Sequence, residues 1–397
     1  MNGVAVMKYR KFFCAFLLAA ALLCACGQDR TAPNEPAPGP SDQAEAQPIS
    51  WNDLRWDEHL ELVYAQSFAV DFAQYGFARI TIDGIGYLLV PEDLGPPPDT
   101  PEDVVVLQQP LGNIYLQATA AMDCFRQLDA MDAVTLSGTQ ADGWYIPEAR
   151  EAMENGKILY AGKYSAPDYE LITSQNCRLA LESTMIYHNP EVKEQLERLG
   201  IPVLVERSSY EIHPLGRMEW IKLYGVLLGK QEEAESYFER QIERLDPILE
   251  QENTGKTVAF FSITSNGSVT VRKSGDYIAK AIELAGGVYV PEGLAENESA
   301  LSTINIQMET FYQEARDADV LVYNSAIEAD LDTLEQLVSK SAPLADFKAV
   351  QSGNVWCTGK SMFQESQAVG DIIQDIHGIL AEEPPADGEL TYLHRLY

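Results

Sequence analysis

Residues 178–206 have the sequence RLALESTMIYHNPEVKEQLERLGIPVLVE, in which two short apolar runs flank a polar, helix-like stretch. The runs RLALE and IPVLVE are typical of buried strands. The middle stretch NPEVKEQLERLG begins with Asn-Pro and ends at a glycine, as helices commonly do. A strand, a helix and a second strand at this spacing predict two parallel strands joined by a crossover helix.

The same alternation of strand and helix candidates occurs on both sides of this unit. Upstream strand candidates are VVVL (104–107), AVTLSG (133–138) and ILYAG (158–162). A second series has the strand candidates TVAFFSI (257–263), ADVLVYNS (318–325) and NVWCT (354–358). Between the two series lies the longest helical pattern of the chain, which Gly229 is expected to bend or break. The predicted fold is α/β, with two lobes that have central parallel sheets and are joined by a long helix. A ligand cleft lies between the lobes.

The N-terminus has the pattern of a secretory signal. Three basic residues precede a short apolar run at 12–23, and Leu-Cys-Ala-Cys follows at 23–26. The last four residues resemble a bacterial lipobox, so we expect a signal peptide over 1–25 and lipidation of Cys26. An ordinary signal peptide, or cleavage at Cys24, stays open as an alternative.

The remaining chain divides by composition. Residues 27–50 are rich in Pro, Ala and polar residues, which predicts a flexible tether. We expect this tether to span residues 26–55. An N-terminal lobe (56–216), a connecting helix (217–252) and a C-terminal lobe (253–397) follow. Within the first lobe, Asp83-Gly84 between two β-rich runs predicts a hairpin inside 67–90.

Bulk properties exclude some partners. The chain has 397 residues and a net charge of −32, which argues against nucleic acid and against spreading on anionic lipid. If Cys14 and Cys24 leave with the signal and Cys26 is lipidated, three cysteines remain: Cys124, Cys177 and Cys357. CxxC does not occur, so a zinc ribbon or thioredoxin-like site is not indicated. Buried free thiols are expected, and one disulfide among them stays open.

Both lobes repeat one local arrangement. Glu170 and Glu309 each lie near the start of a helix that precedes a strand candidate. A carboxylate is favoured there by the helix dipole, so an ordinary first-turn residue is one interpretation of both.

The two lobes, the long helix and these glutamates resemble the substrate-binding lipoproteins of ABC importers that carry ferric siderophores, haem and vitamin B12. The resemblance covers roughly residues 100–385 and includes the segment FKAVQSGNV at 347–355. It implies that Glu170 and Glu309 dock onto arginines of the permease. It also implies that the connecting helix is rigid and that the cleft closes by only a small angle. The hairpin inside 67–90 is not part of the family pattern.

In such proteins the ligand lies between the lobes and is contacted by the loops that follow the strands. The aromatic and cationic side chains of those loops are the expected ligand contacts: Trp144, Tyr145, Lys163, Tyr164, Tyr187, Arg207, Tyr210, Arg217, Arg272, Lys360 and Phe363. Flat aromatic rings suit a macrocycle or a catecholate, and arginine pairs with carboxylate or phosphate. The expected ligand is therefore an iron chelate, haem or a corrinoid, with no resident cofactor.

Two other functions would need ligands or motifs of their own. A direct zinc or manganese importer protein would need His and carboxylate ligands from both lobes, but His188 and His213 lie only in first-lobe loops. A surface hydrolase would need a motif such as GxSxG or HExxH, and neither occurs. We therefore expect a non-enzymatic, monomeric, lipid-anchored protein on the outer face of the cell membrane. Its expected partners are an ABC permease and its ATPase.

Overall fold

The computed structural model describes residues 49–294, 303–326, 330–386 and 388–397. The expected signal peptide and Cys26 lie outside these residues, and residues 48–397 form one compact unit. The folded part begins before residue 55, where the tether was expected to end. Ser50 caps a 3-10 helix at Trp51–Asp53, and Asp99 accepts 2.6 Å hydrogen bonds from Ser50 Oγ and from the Trp51 amide. Residues 49–55 therefore belong to the fold rather than to the tether.

An N-terminal sheet of five strands precedes the βα series. Its strands are β1 (Glu58–His59), β2 (Phe68–Phe72), β3 (Ala78–Ile82), β4 (Ile85–Val90) and β5 (Val105–Gln108). They lie in sequence order, antiparallel except for the parallel pair β4–β5. The expected hairpin is present as β3 and β4. Asp83 and Gly84 have φ values of 51° and 78°, which a type I′ turn requires.

The segment between β1 and β2 is held by two buried carboxylates. Glu219 accepts hydrogen bonds from the amides of Val63, Tyr64 and Ala65 at 2.7–3.1 Å. Glu211 accepts from the amides of Gln66 and Ser67 at 2.8–3.1 Å. Hydrogen bonds from several amides stabilise the ionised form of a carboxylate. The N-terminal sheet is thus tied to the loop and helix that follow the first parallel sheet.

The first parallel sheet confirms the predicted βα alternation. Its elements are β6 (Ile114–Leu116), α1 (Ala121–Gln127), β7 (Val134–Ser137), α2 (Pro147–Glu154), β8 (Leu159–Tyr160), β9 (Gly162–Lys163), β10 (Ala166–Pro167), α3 (Tyr169–Ser174), β11 (Leu179–Ser183), α4 (Pro190–Arg198) and β12 (Val203–Glu206). Strands β9 and β10 form a separate small hairpin. The sheet order is β12-β11-β6-β7-β8 and all its pairs are parallel. The chain direction across the sheet reverses between β6 and β11, where ligands bind in open α/β sheets.

The connection between the lobes is not one continuous helix. It consists of α5 (Pro214–Glu219), α6 (Ile221–Leu228) and α7 (Gln231–Leu249). Gly229 ends α6 with φ 68°, as the sequence indicated, and α7 then packs back against α6. Gly225 lies so close to Ala234 that a Cβ on it would be 2.6 Å from the Ala234 Cβ. The helix expected over 217–252 is therefore a helix hairpin, because its glycines permit a sharp turn and a close helix contact.

The second sheet is mixed rather than purely parallel. Its elements are β13 (Thr257–Ile263), β14 (Val269–Arg272), α8 (Tyr277–Leu284), β15 (Val288–Val290), β16 (Thr303–Ile306), α9 (Met308–Ala315), β17 (Val320–Tyr323), α10 (Leu334–Lys340), α11 (Lys348–Ser352), β18 (Val355–Thr358), α12 (Val369–Ile379) and β19 (Leu393–Arg395). The order is β16-β14-β13-β17-β18-β19, with β15 beside β13. Strands β13, β15, β17 and β18 are parallel, and β14 and β19 are antiparallel to their neighbours β13 and β18.

The last helix returns to the connecting helices. In α12, Gly370 lies against Met218 of α5 and Leu245 of α7, and Asp371 accepts a 2.7 Å hydrogen bond from Arg244. Cys124, Cys177 and Cys357 are free thiols. Among the described residues, no helix is long and apolar enough to cross a membrane.

Candidate functional site

The carboxyl ends of the parallel strands in both sheets meet at one cavity of about 300 Å³. Its lining residues are Thr119, Tyr145, Arg272, Asn324, Ala326, Lys360, Phe363 and Gln364. Thr119 and Tyr145 follow β6 and β7 of the first sheet. Asn324, Ala326 and Lys360 follow β17 and β18 of the second sheet. The cavity therefore lies where open α/β sheets place their ligands, and it is shared by both lobes.

Four of the expected ligand contacts line this cavity: Tyr145, Arg272, Lys360 and Phe363. Three of them come from the second lobe, and we name Arg272, Lys360 and Phe363 the cationic wall. The Lys360 Nζ lies 5.9 Å from the centre of the Tyr145 ring, across the cavity between the lobes. Aromatic and cationic groups thus converge from both sides.

Arg272 is held in place by its neighbours. Its Nη1 lies 3.3 Å from Asp276 Oδ2, and its guanidinium carbon lies 5.3 Å from the centre of the Phe363 ring. Burial raises the pKa of Asp276, and the charge of Arg272 opposes that rise. Lys360 differs, because it forms no ion pair with any residue in the described part of the chain. The uncompensated positive charge of the wall is therefore on Lys360.

Gln364 joins the two lobes at the cavity. Its Oε1 accepts a 2.7 Å hydrogen bond from the Tyr145 amide, and its Nε2 donates a 2.7 Å hydrogen bond to the Gly143 carbonyl. Gln364, Thr119 and Asn324 were not predicted, because only aromatic and cationic side chains were expected to contact the ligand. A positional signal existed for Gln364, which follows the strand candidate at 354–358. Asn324 lies inside the strand candidate at 318–325, and no strand was predicted just before Thr119.

A second group of expected contacts follows β11 and β12 of the first sheet. Thr184 Oγ1 and Tyr210 Oη are 3.1 Å apart, and the Arg207 guanidinium carbon lies 4.6 Å from the centre of the Tyr210 ring. Around them the side chains of Met185, Tyr187 and Ile212 are each 44% exposed, and Tyr210 is 37% exposed. We name Met185, Tyr187, Tyr210 and Ile212 the aromatic rim.

Exposed apolar side chains are concentrated at the strand ends of the first sheet. The described residues include ten exposed large hydrophobic side chains, and six of them lie just past the strand ends of the first sheet or at the end of β8. These six are Tyr145, Tyr160, Met185, Tyr187, Tyr210 and Ile212. Exposed apolar surface that is gathered at one place commonly marks a binding site.

Two expected contacts are in the protein interior instead. Trp144 is fully buried and donates a 3.2 Å hydrogen bond to Ser137 Oγ, so it packs the first lobe. Arg217 is 8% exposed, and its guanidinium carbon lies 3.7 Å from the centre of the Tyr277 ring in α8. Its Nη1 has no hydrogen-bond partner within the part of the chain that the structure describes. Neither residue lines the cavity, because the turn after β7 and helix α5 direct them inward.

The hairpin β9–β10 carries Lys163 and Tyr164, which do not line the cavity. Lys163 is exposed and Tyr164 is half-buried. Glu170 and Glu309 lie in the first turns of α3 and α9, and both are exposed. An exposed carboxylate on each lobe is available for contact with another protein.

A buried carboxyl lies beneath the strand ends of the first sheet. Glu182 in β11 is fully buried, and neither of its oxygens has a hydrogen-bond partner in the described part of the chain. Burial raises the pKa of Glu182 to about 8, so this side chain is mostly neutral at pH 7.

His213 and His377 make hydrogen bonds with the backbone. His213 Nδ1 accepts a 3.2 Å hydrogen bond from the Leu215 amide and caps α5. His377 Nδ1 lies 3.0 Å from the Ala285 carbonyl oxygen. Within residues 49–294, 303–326, 330–386 and 388–397, no group of three or more His, Cys, Asp or Glu side chains is arranged to hold a metal ion.

Comparison with known proteins gives a family and several relatives, which include two lipoproteins of one archaeon. A family model described as periplasmic binding protein matches residues 141–361. An uncharacterized lipoprotein of Methanocaldococcus jannaschii, MJ0878, is 29% identical over 243 residues, which are 60% of this chain and 56% of that relative. A second lipoprotein of the same organism, MJ0872, is 26% identical over 259 residues, which are 63% of this chain and 64% of that relative. The match thus spans less than two thirds of either relative.

Solved structures share the fold at low sequence identity. A periplasmic binding protein from Veillonella parvula has a TM-score of 0.56 and 17% identity, covering 76% of this chain and 97% of its own. The haem-binding protein HutB of Vibrio cholerae has a TM-score of 0.53 and 15% identity, covering 66% and 97%. The catecholate-siderophore binding protein VctP of the same species has a TM-score of 0.53 and 12% identity, covering 68% and 94%.

Proposed function

Because the chain belongs to the periplasmic binding protein family, we propose that it captures a metal chelate between its two lobes and delivers it to an ABC permease. The chelate is a ferric siderophore, haem or a cobalamin-like corrinoid. The observation that carries the proposal is the shared cavity, to which the first lobe contributes Tyr145 and the second contributes Arg272, Lys360 and Phe363.

The chemistry of the cleft suits a flat, anionic ligand. Aromatic rings offer large rigid contact surfaces, and cationic groups pair with carboxylate or catecholate oxygens. The cavity volume of about 300 Å³ lies at the lower end of the range for small-molecule sites. The exposed aromatic rim, at the same edge of the first sheet, gives a larger ligand additional surface to contact. The fold shared with a haem-binding and a catecholate-siderophore binding protein supports this choice of ligand.

We also propose that the protein is extracytoplasmic and is anchored to the membrane by a lipid on Cys26. Relatives that are named lipoproteins support this location. Within the proposal the protein works as a monomer and makes no chemical change in its ligand. Glu170 and Glu309 contact the permease, whose ATPase drives transport. Lys163, Tyr164, Tyr187, Arg207 and Tyr210 remain proposed ligand contacts outside the described cavity.

Intrinsic tryptophan fluorescence tests the ligand class. The purified protein is titrated with haem, cyanocobalamin and a ferric triscatecholate, and one of them is expected to give a saturable change. A response to free Zn²⁺ or Mn²⁺ with no response to any chelate would favour direct metal import instead. Turnover of ester or peptide substrates would favour a hydrolase.

The docking role is tested separately from binding. The double variant Glu170→Ala/Glu309→Ala should keep the ligand affinity of the parent and abolish uptake in cells that have the cognate permease. The matched control is Glu191→Ala/Glu335→Ala, which removes exposed first-turn glutamates from α4 and α10, one in each lobe. Loss of ligand affinity in the first double variant would place those carboxylates in the binding site and contradict the docking role.

A further inference from the structure

The N-terminal sheet contributes a charged group to the ligand-facing edge of the first lobe. The hairpin between β3 and β4 ends at Asp83, and Asp83 Oδ2 accepts a hydrogen bond from Arg207 Nη1 in an ion pair. Asp83 lies outside residues 141–361, which the family model matches, and Arg207 lies inside them. The ion pair therefore joins a segment outside the family match to a loop within it.

Arg207 lies at the edge of the sheet where the cavity is. It directly follows β12, whose last residue Glu206 pairs with Ser183 of β11 in parallel register. In turn, β11 pairs with β6, and the loop after β6 supplies Thr119 to the cavity. Adjacent strands are about 4.8 Å apart, so Arg207 lies two strands, or roughly 10 Å, from that cavity wall.

The ion pair changes the charge that a ligand meets at this position. The side chain of Arg207 is 20% exposed and that of Asp83 is 49% exposed, so both are accessible at the surface. An arginine beside an exposed tyrosine would attract a carboxylate or catecholate. With Asp83 bound to it, the guanidinium has a counter-charge already, and the aromatic rim around it is close to neutral.

We propose that Asp83 is a specificity-determining residue that neutralises Arg207 and so directs the anionic groups of the ligand away from the aromatic rim and toward Lys360. This inference rests on the proposed function, because it assumes that the cleft binds a chelate. The ligand class that fits is amphipathic, with an apolar face on the rim and its anionic groups near the cationic wall. Lys163, the exposed cation of the β9–β10 hairpin, does not line the cavity.

The variant Asp83→Asn tests the proposal with little risk to folding. Asn-Gly favours the type I′ turn that Asp83-Gly84 adopts. Removing the carboxylate should free Arg207 and tighten binding of an anionic probe, either haem or a ferric triscatecholate, about 3- to 10-fold. Binding of cyanocobalamin, which has no net charge, should change less than about twofold.

A double-mutant cycle shows whether the effect passes through Arg207. In an Arg207→Gln background, Asp83→Asn should leave the affinity for the anionic probes unchanged. The control Asp71→Asn removes the same charge from another ion pair of the N-terminal sheet, Asp71–Arg79 at 2.6 Å. It should not change the affinity for the anionic probes.

The results separate this proposal from the proposed function. If the parent binds a chelate but Asp83→Asn does not tighten either anionic probe, the role of Asp83 is wrong and the transport function stands. The same conclusion follows if the gain persists in the Arg207→Gln background or appears equally in Asp71→Asn. If the parent binds none of the three probes, and Asp83→Asn binds none either, both proposals fail.

Discussion

The aromatic rim and the cationic wall lie at strand ends in different lobes and have opposite chemistry. The rim residues, Lys360 and Phe363 lie in loops that follow parallel strands, whereas Arg272 ends the antiparallel strand β14. The rim has four exposed apolar or aromatic side chains, and Arg207 beside it is paired with Asp83. The wall has Phe363, an arginine paired with Asp276, and Lys360 without an ion pair to any described residue. The ends of the strands thus set where a ligand lies. The side chains at those ends determine which side of the ligand faces each lobe.

The largest expected effect concerns the sheet that carries the rim, where the buried Glu182 carboxyl has no hydrogen-bond partner among the described residues. Its pKa of about 8 in the folded protein exceeds the ordinary value of 4.5. Below pH 4.5 Glu182 is protonated in both the folded and unfolded chain, so its contribution to stability is fully present. Between pH 4.5 and 8 only the unfolded chain releases the proton, and the free energy of unfolding falls by about 1.4 kcal/mol per pH unit. Above pH 8 no further loss is expected.

Urea unfolding at pH 5, 6, 7 and 8 measures this loss. The variant Glu182→Leu has no ionisable group at this position, so its free energy of unfolding should not show this pH-dependent loss. Its stability relative to the parent should therefore rise by several kcal/mol from pH 5 to pH 8. The control Glu191→Gln changes an exposed glutamate of α4 and should follow the parent. A constant difference between Glu182→Leu and the parent at all four pH values would mean that Glu182 is ionised in the folded state.

The second prediction concerns the cationic wall. Lys360→Glu should weaken binding of haem or of a ferric triscatecholate about 100-fold, because it removes a charge-assisted contact and adds a repulsive charge. Arg207→Gln at the rim should weaken the same binding less than about threefold, since Asp83 already neutralises Arg207. Isothermal titration calorimetry gives both affinities. Lys280→Glu, an exposed lysine of α8 outside the cavity lining, is the control for net charge. Equal losses in the two cleft variants would remove the distinction between rim and wall.

The third prediction separates the rim from the wall by salt dependence. Tyr187→Ala removes an exposed ring and should weaken ligand binding about tenfold, by a similar factor at 50 mM and 500 mM salt. The loss in Lys360→Glu should shrink at high salt, because salt screens exposed charges. Tyr187→Phe keeps the ring and should retain the parent affinity. A loss in Tyr187→Phe as large as that in Tyr187→Ala would assign the contact to the hydroxyl rather than to the ring.

The sequence did not predict β6, β14, β15, β16 or β19, and its candidate at 104–107 is β5 of the N-terminal sheet. It predicted the other strands of the two later sheets, because buried parallel strands are short apolar runs that helices separate. It also predicted Tyr145 and Lys360 at the cleft, since both follow strands. It did not distinguish Trp144 from Tyr145. These neighbours share one loop, and the direction of each side chain depends on local backbone angles that composition does not show.

Long-range pairs account for the remaining differences. Arg207 and Asp83 are 124 residues apart, and Glu219 holds amides more than 150 residues away. Neither pairing has a local signal, so the contact of the N-terminal sheet with the rim was not predictable. In the connecting segment the break at Gly229 was expected, and Gly229 ends α6. The reversal of α7 onto α6 was not expected, because it depends on the close approach of Gly225 and Ala234.

The smallest expected effect concerns Gln364, which joins the two sides of the cleft. Gln364→Ala removes both of its hydrogen bonds and should change ligand affinity about two- to fivefold, with faster amide hydrogen exchange at Tyr145. Gln364→Glu keeps an acceptor for the Tyr145 amide but loses the donor to the Gly143 carbonyl. The Tyr145 amide should therefore stay protected against hydrogen exchange in Gln364→Glu and lose that protection in Gln364→Ala. Gln374→Ala, which removes an exposed contact with Arg244, is the control. If Tyr145 exchanges at the parent rate in Gln364→Ala, the lobes are held together by other contacts and the bridge does not set the distance between rim and wall.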